Sequence, residues 1–129
     1  MTIRIYLVND NPTFLRAVAS FLARVPGVEV IGHSELGLEA MGHIADAKPD
    51  VVLLDIKLPD VSGLEVCLAL RSWTEPPQIV LMALADSDAY VEMASKVDAL
   101  GFVNKANFAA ELPTLLARYS SLPSAGVYP

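Results

Sequence analysis

Cysteine is almost absent from this chain: Cys67 is the only one in 129 residues, so no intramolecular disulfide can form. It stands among Leu64, Leu68 and Leu70 in a helical pattern, where a thiol serves as a small buried hydrophobe. Long apolar runs are missing as well, and no stretch approaches the roughly 18 residues of a membrane span. The opening "MTIRIYLVND" lacks a charged n-region, a long apolar h-region and a small-residue cleavage site; it reads as a first strand and not as a signal peptide. Together these absences point to a cytoplasmic location with no membrane partner. Cations are few: nine Lys and Arg against fifteen acids give a net charge of −6. They are scattered singly from Arg4 to Arg118, whereas nucleic-acid contact needs clustered cations to neutralise phosphates. No direct nucleic-acid binding is expected of this segment. The two histidines, His33 and His43, are isolated; both read as surface residues, and zinc is excluded for want of ligands at the right spacing.

What remains is an apolar fraction of 53%, enough for one domain with a sizeable core. Periodicity alternates along the chain. "IRIYLV" (3–8) is a strand. "PTFLRAVASFLARV" (12–25) follows as a helix, with Phe14, Val18, Phe21, Leu22 and Val25 on one face and Pro12 in its first turn. "VEVIGH" (28–33) is a strand after Pro26-Gly27, and residues 36–47 form a helix weakened by Gly37 and Gly42. "DVVLLD" (50–55) is a wholly apolar strand ending in a carboxylate. Ser62-Gly63-Leu64-Glu65 has capping-box spacing and opens a third helix towards Arg71. "QIVLMALA" (78–85) is a strand, "SDAYVEMASKVDAL" a helix stopped by Gly101, and "GFVN" (101–104) a fifth strand. The last helix is expected to start near Asn107 as N-cap, with Pro113 either kinking it or marking its first turn. Residues 1–119 form the domain on this reading, and 120–129 a tail or truncated linker.

Strands buried on both faces and alternating with helices imply an α/β, doubly wound parallel sheet of five βα units. Its common strand order at this size is the flavodoxin-like 2-1-3-4-5, with a ligand crevice at the carboxyl ends of strands one and three. Asn9 and Asp10 end the first strand, Asp55 ends the third, and Asn104 and Lys105 follow the fifth. Converging carboxylates repel and call for a cation. Lys105 supplies one charge, and Mg²⁺ suits the oxygen donors that remain. That makes a nucleophilic carboxylate, a metal that shields phosphoryl charge and a lysine that pairs with it. Each residue also has a plainer role: Asp10 as a helix cap, Asp55 as a turn cap, Lys105 as a solvated loop residue. Their joint arrival at one crevice favours a functional site.

Over residues 3–119 the chain resembles the receiver domain of bacterial two-component response regulators, through "LVNDNP", "PDVVLLDIKLPDVSGLEV" and "GFVNKA". The stretch from Asn11 to Met41 looks most like receivers of the LuxR/NarL-type transcription factors, which carry a DNA-binding domain further along. The resemblance implies that Asp55 accepts a phosphoryl group from a sensor histidine kinase. It implies Asp10 as a direct Mg²⁺ ligand, Asp55 sharing the ion, the carbonyl of Lys57 as a further ligand, and Lys105 on the phosphoryl oxygens. Pro59 and Gly63 match the family's turn after the phosphorylated strand.

Several positions depart from that pattern. Asn9 replaces the first of two adjacent acids; its amide oxygen can still hold a metal-bound water, but one negative charge is gone and cation affinity should fall. Leu84 stands where the family has the Thr or Ser whose hydroxyl relays phosphorylation to an aromatic on the fifth strand, here Phe102. Leucine breaks that relay, and Ser87 lies too far along the loop to replace it. Ala106 stands for a Pro that LuxR-type members often lack. The expected function is therefore a phosphoryl-accepting signalling domain, itself no enzyme, with a homodimer among its possible assemblies. The alternative is a pseudo-receiver that dimerises or docks without phosphorylation. Dehalogenase-type phosphatases need a second Asp where Lys57 stands, and a flavin carrier needs a phosphate loop that "NDNP" does not provide.

Overall fold

A computed structural model describes residues 2–84 and 88–120. The elements are β1 (Ile3–Val8), α1 (Pro12–Leu22), β2 (Val28–Ser34), α2 (Gly37–Ala47), β3 (Val51–Asp55), α3 (Gly63–Arg71), β4 (Gln78–Ala83), α4 (Asp88–Lys96), β5 (Gly101–Asn104), a 3₁₀ turn (Lys105–Asn107) and α5 (Phe108–Ser120). The strands form one sheet in the order β2-β1-β3-β4-β5, every adjacent pair parallel. This is the doubly wound order expected from the sequence.

Period-two alternation divides the sheet between two cores. Ile3, Ile5, Leu7, Val51, Leu53, Val80, Met82 and Val103 face α1 and α5, against Leu15, Val18, Leu22, Leu112, Leu115 and Leu116. Tyr6, Val8, Val52, Leu54, Ile79, Leu81 and Ala83 face α2, α3 and α4, against Ala40, Ile44, Val66, Cys67, Leu70 and Ala94. Central β3 is buried throughout, which is why "VVLLD" has no polar alternation before its last residue. Tyr6 puts a hydroxyl into the second core, where Ser34 Oγ and, at 3.0 Å, His43 Nδ1 satisfy it. His33 and His43 are both exposed, as expected.

Local expectations failed at several element ends, some through packing across the fold and some through a nearby residue taking the expected role. Helix α1 ends at Leu22, short of Val25. Helix α4 ends at Lys96, and the residue that turns the chain is Asp98 at φ 57°, not Gly101; a short polar side chain tolerates the left-handed region. Gly101 opens β5 instead, where an added Cβ would stand 2.6 Å from Leu115 Cδ2. Strand β4 stops at Ala83, and Ala85 lies outside the described residues. Ser62 caps α3 by accepting from the N–H of Leu64, not from Glu65 as the capping-box spacing suggests. The capping Asn before α5 is Asn104, whose Oδ1 accepts from Ala106 N at 3.0 Å, three residues earlier than expected. Pro113 lies inside α5 and so does not mark its first turn. An interior Pro costs about 3 kcal/mol, whereas burying Leu112, Leu115 and Leu116 yields ~1.5–3 kcal/mol each, so packing keeps the helix. Ser120 still belongs to α5, and the rest of the expected tail lies outside the described residues. No described helix is long and apolar enough to cross a membrane.

Cys67 is fully buried, and burial pushes its thiol up to about 11. At pH 8 that leaves roughly 100-fold less thiolate than an unshifted cysteine has. Iodoacetamide labelling of the native protein at pH 8 should therefore be slower than in denaturant by at least that order; comparable rates would show Cys67 to be accessible.

Candidate functional site

The site assembles at the carboxyl ends of β1, β3 and β5. The register pairs Leu7 with Leu53 and Val8 with Leu54, and one further step brings Asn9 level with Asp55. Asp55 is only 3% exposed, a costly place for a charge unless it is paired. Its Oδ2 lies 2.7 Å from Lys105 Nζ, and its Oδ1 accepts from Lys57 N at 3.1 Å. It thus caps a turn, as the plainer reading had it, and also faces a largely covered cation. Deleting one member of such a pair costs roughly 3–5 kcal/mol. The ammonium is held from a second side by the Phe14 ring, 5.0 Å from its centroid. Phe14 is in turn fixed edge-on against Phe108 at 5.4 Å.

Asp10 follows β1 and is exposed, and it is not the cap of α1. That role falls to Asn11, whose Oδ1 accepts from Thr13 N at 3.0 Å and Phe14 N at 3.2 Å. Asn9 is 3% exposed; its Oδ1 closes the turn by accepting from Asn11 N at 2.9 Å. Its Nδ2 has no partner among the described residues. The Asn9 oxygen is therefore engaged in holding the loop.

Two further contacts fix the loops. Asn104 N donates to Glu111 Oε1 at 3.1 Å, tying the end of β5 to α5. Beyond β3 the chain folds back on itself: Lys57 bridges Ser62, and Gly63 N donates to Ile56 O at 2.7 Å. A Cβ on Gly63 would lie 2.1 Å from the carbonyl oxygen of Asp55, so the glycine is a steric necessity of the turn. Sequence reasoning missed Phe14 and Glu111 as site supports, since both act across the fold and carry no motif.

Leu84 follows β4 with 77% of its surface exposed. Phe102 is half-buried and stacks on Tyr90 of α4, at 5.6 Å and 10° between ring planes; this contact within the chain was not foreseen. Ser87 lies outside the described residues.

The candidate metal donors named from the sequence are all oxygens: the carboxylates of Asp10 and Asp55 and the backbone carbonyl of Lys57. Hard oxygen donors without His or Cys fit Mg²⁺. Among the described residues no group of three or more His, Cys, Asp or Glu side chains could hold an ion, so a bound ion would have to draw on backbone and water.

The model of the response regulator receiver domain family matches residues 5–117. The chain belongs to that family. Its relatives include the DNA-binding transcriptional activator DevR/DosR of Mycobacterium tuberculosis, 31% identical over 103 residues, which are 80% of this chain and 48% of that protein. They also include a protein-glutamate methylesterase/protein-glutamine glutaminase of Myxococcus xanthus, 32% identical over 116 residues, 89% of this chain and 31% of that one. Among solved structures, the signal receiver domain of NarL from Mycobacterium tuberculosis superposes with a TM-score of 0.84 at 30% identity, covering 94% of this chain and 98% of the other. This receiver spans about half the length of curated relatives such as DevR/DosR, and the relatives named range from a transcription factor to an esterase.

In this receiver Gly63→Ala should be destabilised by ~3 kcal/mol, because the clash is with backbone that cannot yield. A urea-unfolding midpoint equal to the parent's would show that the turn after β3 is less tight than described.

Proposed function

We propose that this receiver accepts a phosphoryl group on Asp55 from a sensor histidine kinase, in a reaction that needs a divalent cation. The observation that carries this reading is the buried carboxylate at the switch point of the sheet, held 2.7 Å from the ammonium of Lys105. An Asp55 carboxylate oxygen attacks phosphorus, and the P–N bond to the donor imidazole breaks. The electron pair returns to that ring, which takes a proton, and Asp55 becomes an acyl phosphate. Lys105 follows the charge from the carboxylate to the phosphoryl oxygens. Mg²⁺, held by Asp10, Asp55 and the carbonyl of Lys57, with Asn9 at the edge of its water shell, would shield the phosphoryl charge. With Asn9 in place of an acid, that hold is weaker.

The chain turns over no external substrate on this reading: the residue modified is its own. Family membership and the full set of Asp10, Asp55 and Lys105 favour phosphoryl acceptance over a phosphorylation-independent docking module. The net charge of −6 argues against direct contact with nucleic acid, so DNA binding would belong to an effector domain outside this segment. A cytoplasmic location follows from the need to meet a kinase, and a homodimer is the natural signalling assembly.

Incubation with Mg²⁺ and acetyl phosphate should add one phosphate-sized mass increment, which does not form when EDTA is present from the start and is absent in Asp55→Asn. Parent protein without an adduct, tested also with its kinase, would favour the docking module instead. Leu84→Thr restores a hydroxyl beside the phosphoryl group and should lengthen the adduct's lifetime about fivefold, the scale of a hydrogen bond worth ~1 kcal/mol. An unchanged lifetime would mean that Leu84 does not face the phosphoryl group.

A further inference from the structure

The first N–H groups of a helix have no acceptor within the helix and need a cap. Helices α1 and α3 carry their own, Asn11 and Ser62. The residue at the cap position of α2, Leu36, has no side chain that can accept. The acceptor comes from elsewhere: Asp60, in the loop after β3, takes Gly37 N on Oδ1 at 2.9 Å and Leu38 N on Oδ2 at 3.0 Å. The seat is close. A Cβ on Gly37 would meet Val61 Cγ2 at 2.5 Å and Val66 Cγ2 at 3.0 Å, so only glycine lets this helix end reach the loop.

That loop also serves the phosphoryl site. It begins at Lys57, whose N–H donates to Asp55 Oδ1, and it is closed by the Lys57–Ser62 bridge and the Gly63 N–H on Ile56 O. A closed loop moves as a unit. Resting on the function proposed above, we propose that Asp60 is a positioning residue for the phosphoryl site: it fixes the loop that presents Lys57 to Asp55, and through it the N-terminus of α2 registers whether Asp55 is phosphorylated.

Phosphorylation turns the carboxylate into a mixed anhydride. Lys57 N–H then meets a neutral acceptor in place of an ionised one, a hydrogen bond of roughly half the strength. The loop must readjust, and the two bonds from Asp60 carry the adjustment to Gly37 and Leu38. The route lies on the far side of β3 from Leu84, so it does not need the hydroxyl missing there. The N–H groups of Leu38 and Gly37 hold the Asp60 carboxyl below the usual carboxylate range, so the link is intact at neutral pH and lost only in acid.

The test combines intact mass with amide NMR of the ¹⁵N-labelled protein, before and after Mg²⁺ and acetyl phosphate. In the parent, the Gly37 and Leu38 amides should shift when the adduct forms. In Asp60→Ala the adduct should still form, but without a change at these two amides that depends on it, and half-saturating Mg²⁺ should rise roughly fivefold, the scale of one lost hydrogen bond. Asp60→Asn keeps the shape of the side chain and one acceptor, should fold if the alanine variant does not, and should fall between the two. A merely structural cap would lower the melting temperature and leave half-saturating Mg²⁺ unchanged. Phosphorylated parent protein with unmoved Gly37 and Leu38 amides, or an Asn variant that matches the parent in both readouts, overturns the proposal. No adduct in the parent overturns instead the phosphoryl reading on which it rests.

Discussion

The ion pair between Asp55 and Lys105 is the constraint around which the rest of this receiver is arranged. A carboxylate 3% exposed at the end of a wholly buried strand is sustainable only with a partner, because an isolated buried charge costs more than the domain has to spare. The partner arrives from the far end of the sheet, carried by β5 and a 3₁₀ turn that Asn104 caps. Phe14 closes the other side of the ammonium. The pair also suits the reaction, since a cation that neutralises a carboxylate before transfer can neutralise the phosphoryl group afterwards.

The fold was legible in the sequence wherever burial alone determines structure. "VVLLD" has no room for polar alternation, so it had to be a central parallel strand, and five such βα units leave few ways to order the sheet. The crevice followed from the topology, and with it Asn9, Asp10, Asp55 and Lys105. Local rules failed at Gly101 and Pro113 because the deciding partner lay elsewhere in the chain, and at Asp98 and Asn104 because another nearby residue met the same local need first. Leu115 fills the space beside Gly101, Ala106 takes the cap of Asn104, and three buried leucines outweigh the cost of Pro113. Asp60 and Phe14 were invisible for the same reason: a cap donated across 23 residues and a ring beneath an ammonium leave no periodic trace.

Two of the departures from the family's pattern, Asn9 and Leu84, fall where the fold does not depend on the residue they replace. Asn9 uses its Oδ1 to close the turn before α1, work that an amide does as well as a carboxylate. On the proposed function, what the substitution removes is one negative charge, which would leave a cation to Asp10, Asp55 and backbone. Leu84 stands 77% exposed and packs into neither core. Its apolar side chain in water gains nothing for stability.

It follows that stability and signalling are separable in this receiver. The elements that hold the sheet together, the two cores and the ion pair, make no use of the first acid or of the hydroxyl after β4. Phe102 reinforces the point: stacked on Tyr90, it is held by α4 and has no hydroxyl at Leu84 to follow. A change in the charge of Asp55 must then leave the site through the contacts Asp55 does make. Those are Lys105 on one oxygen and the loop of Lys57 on the other; Lys105 leads to the Phe14 ring on α1, and the loop leads, through hydrogen bonds accepted by Asp60, to the N-terminus of α2.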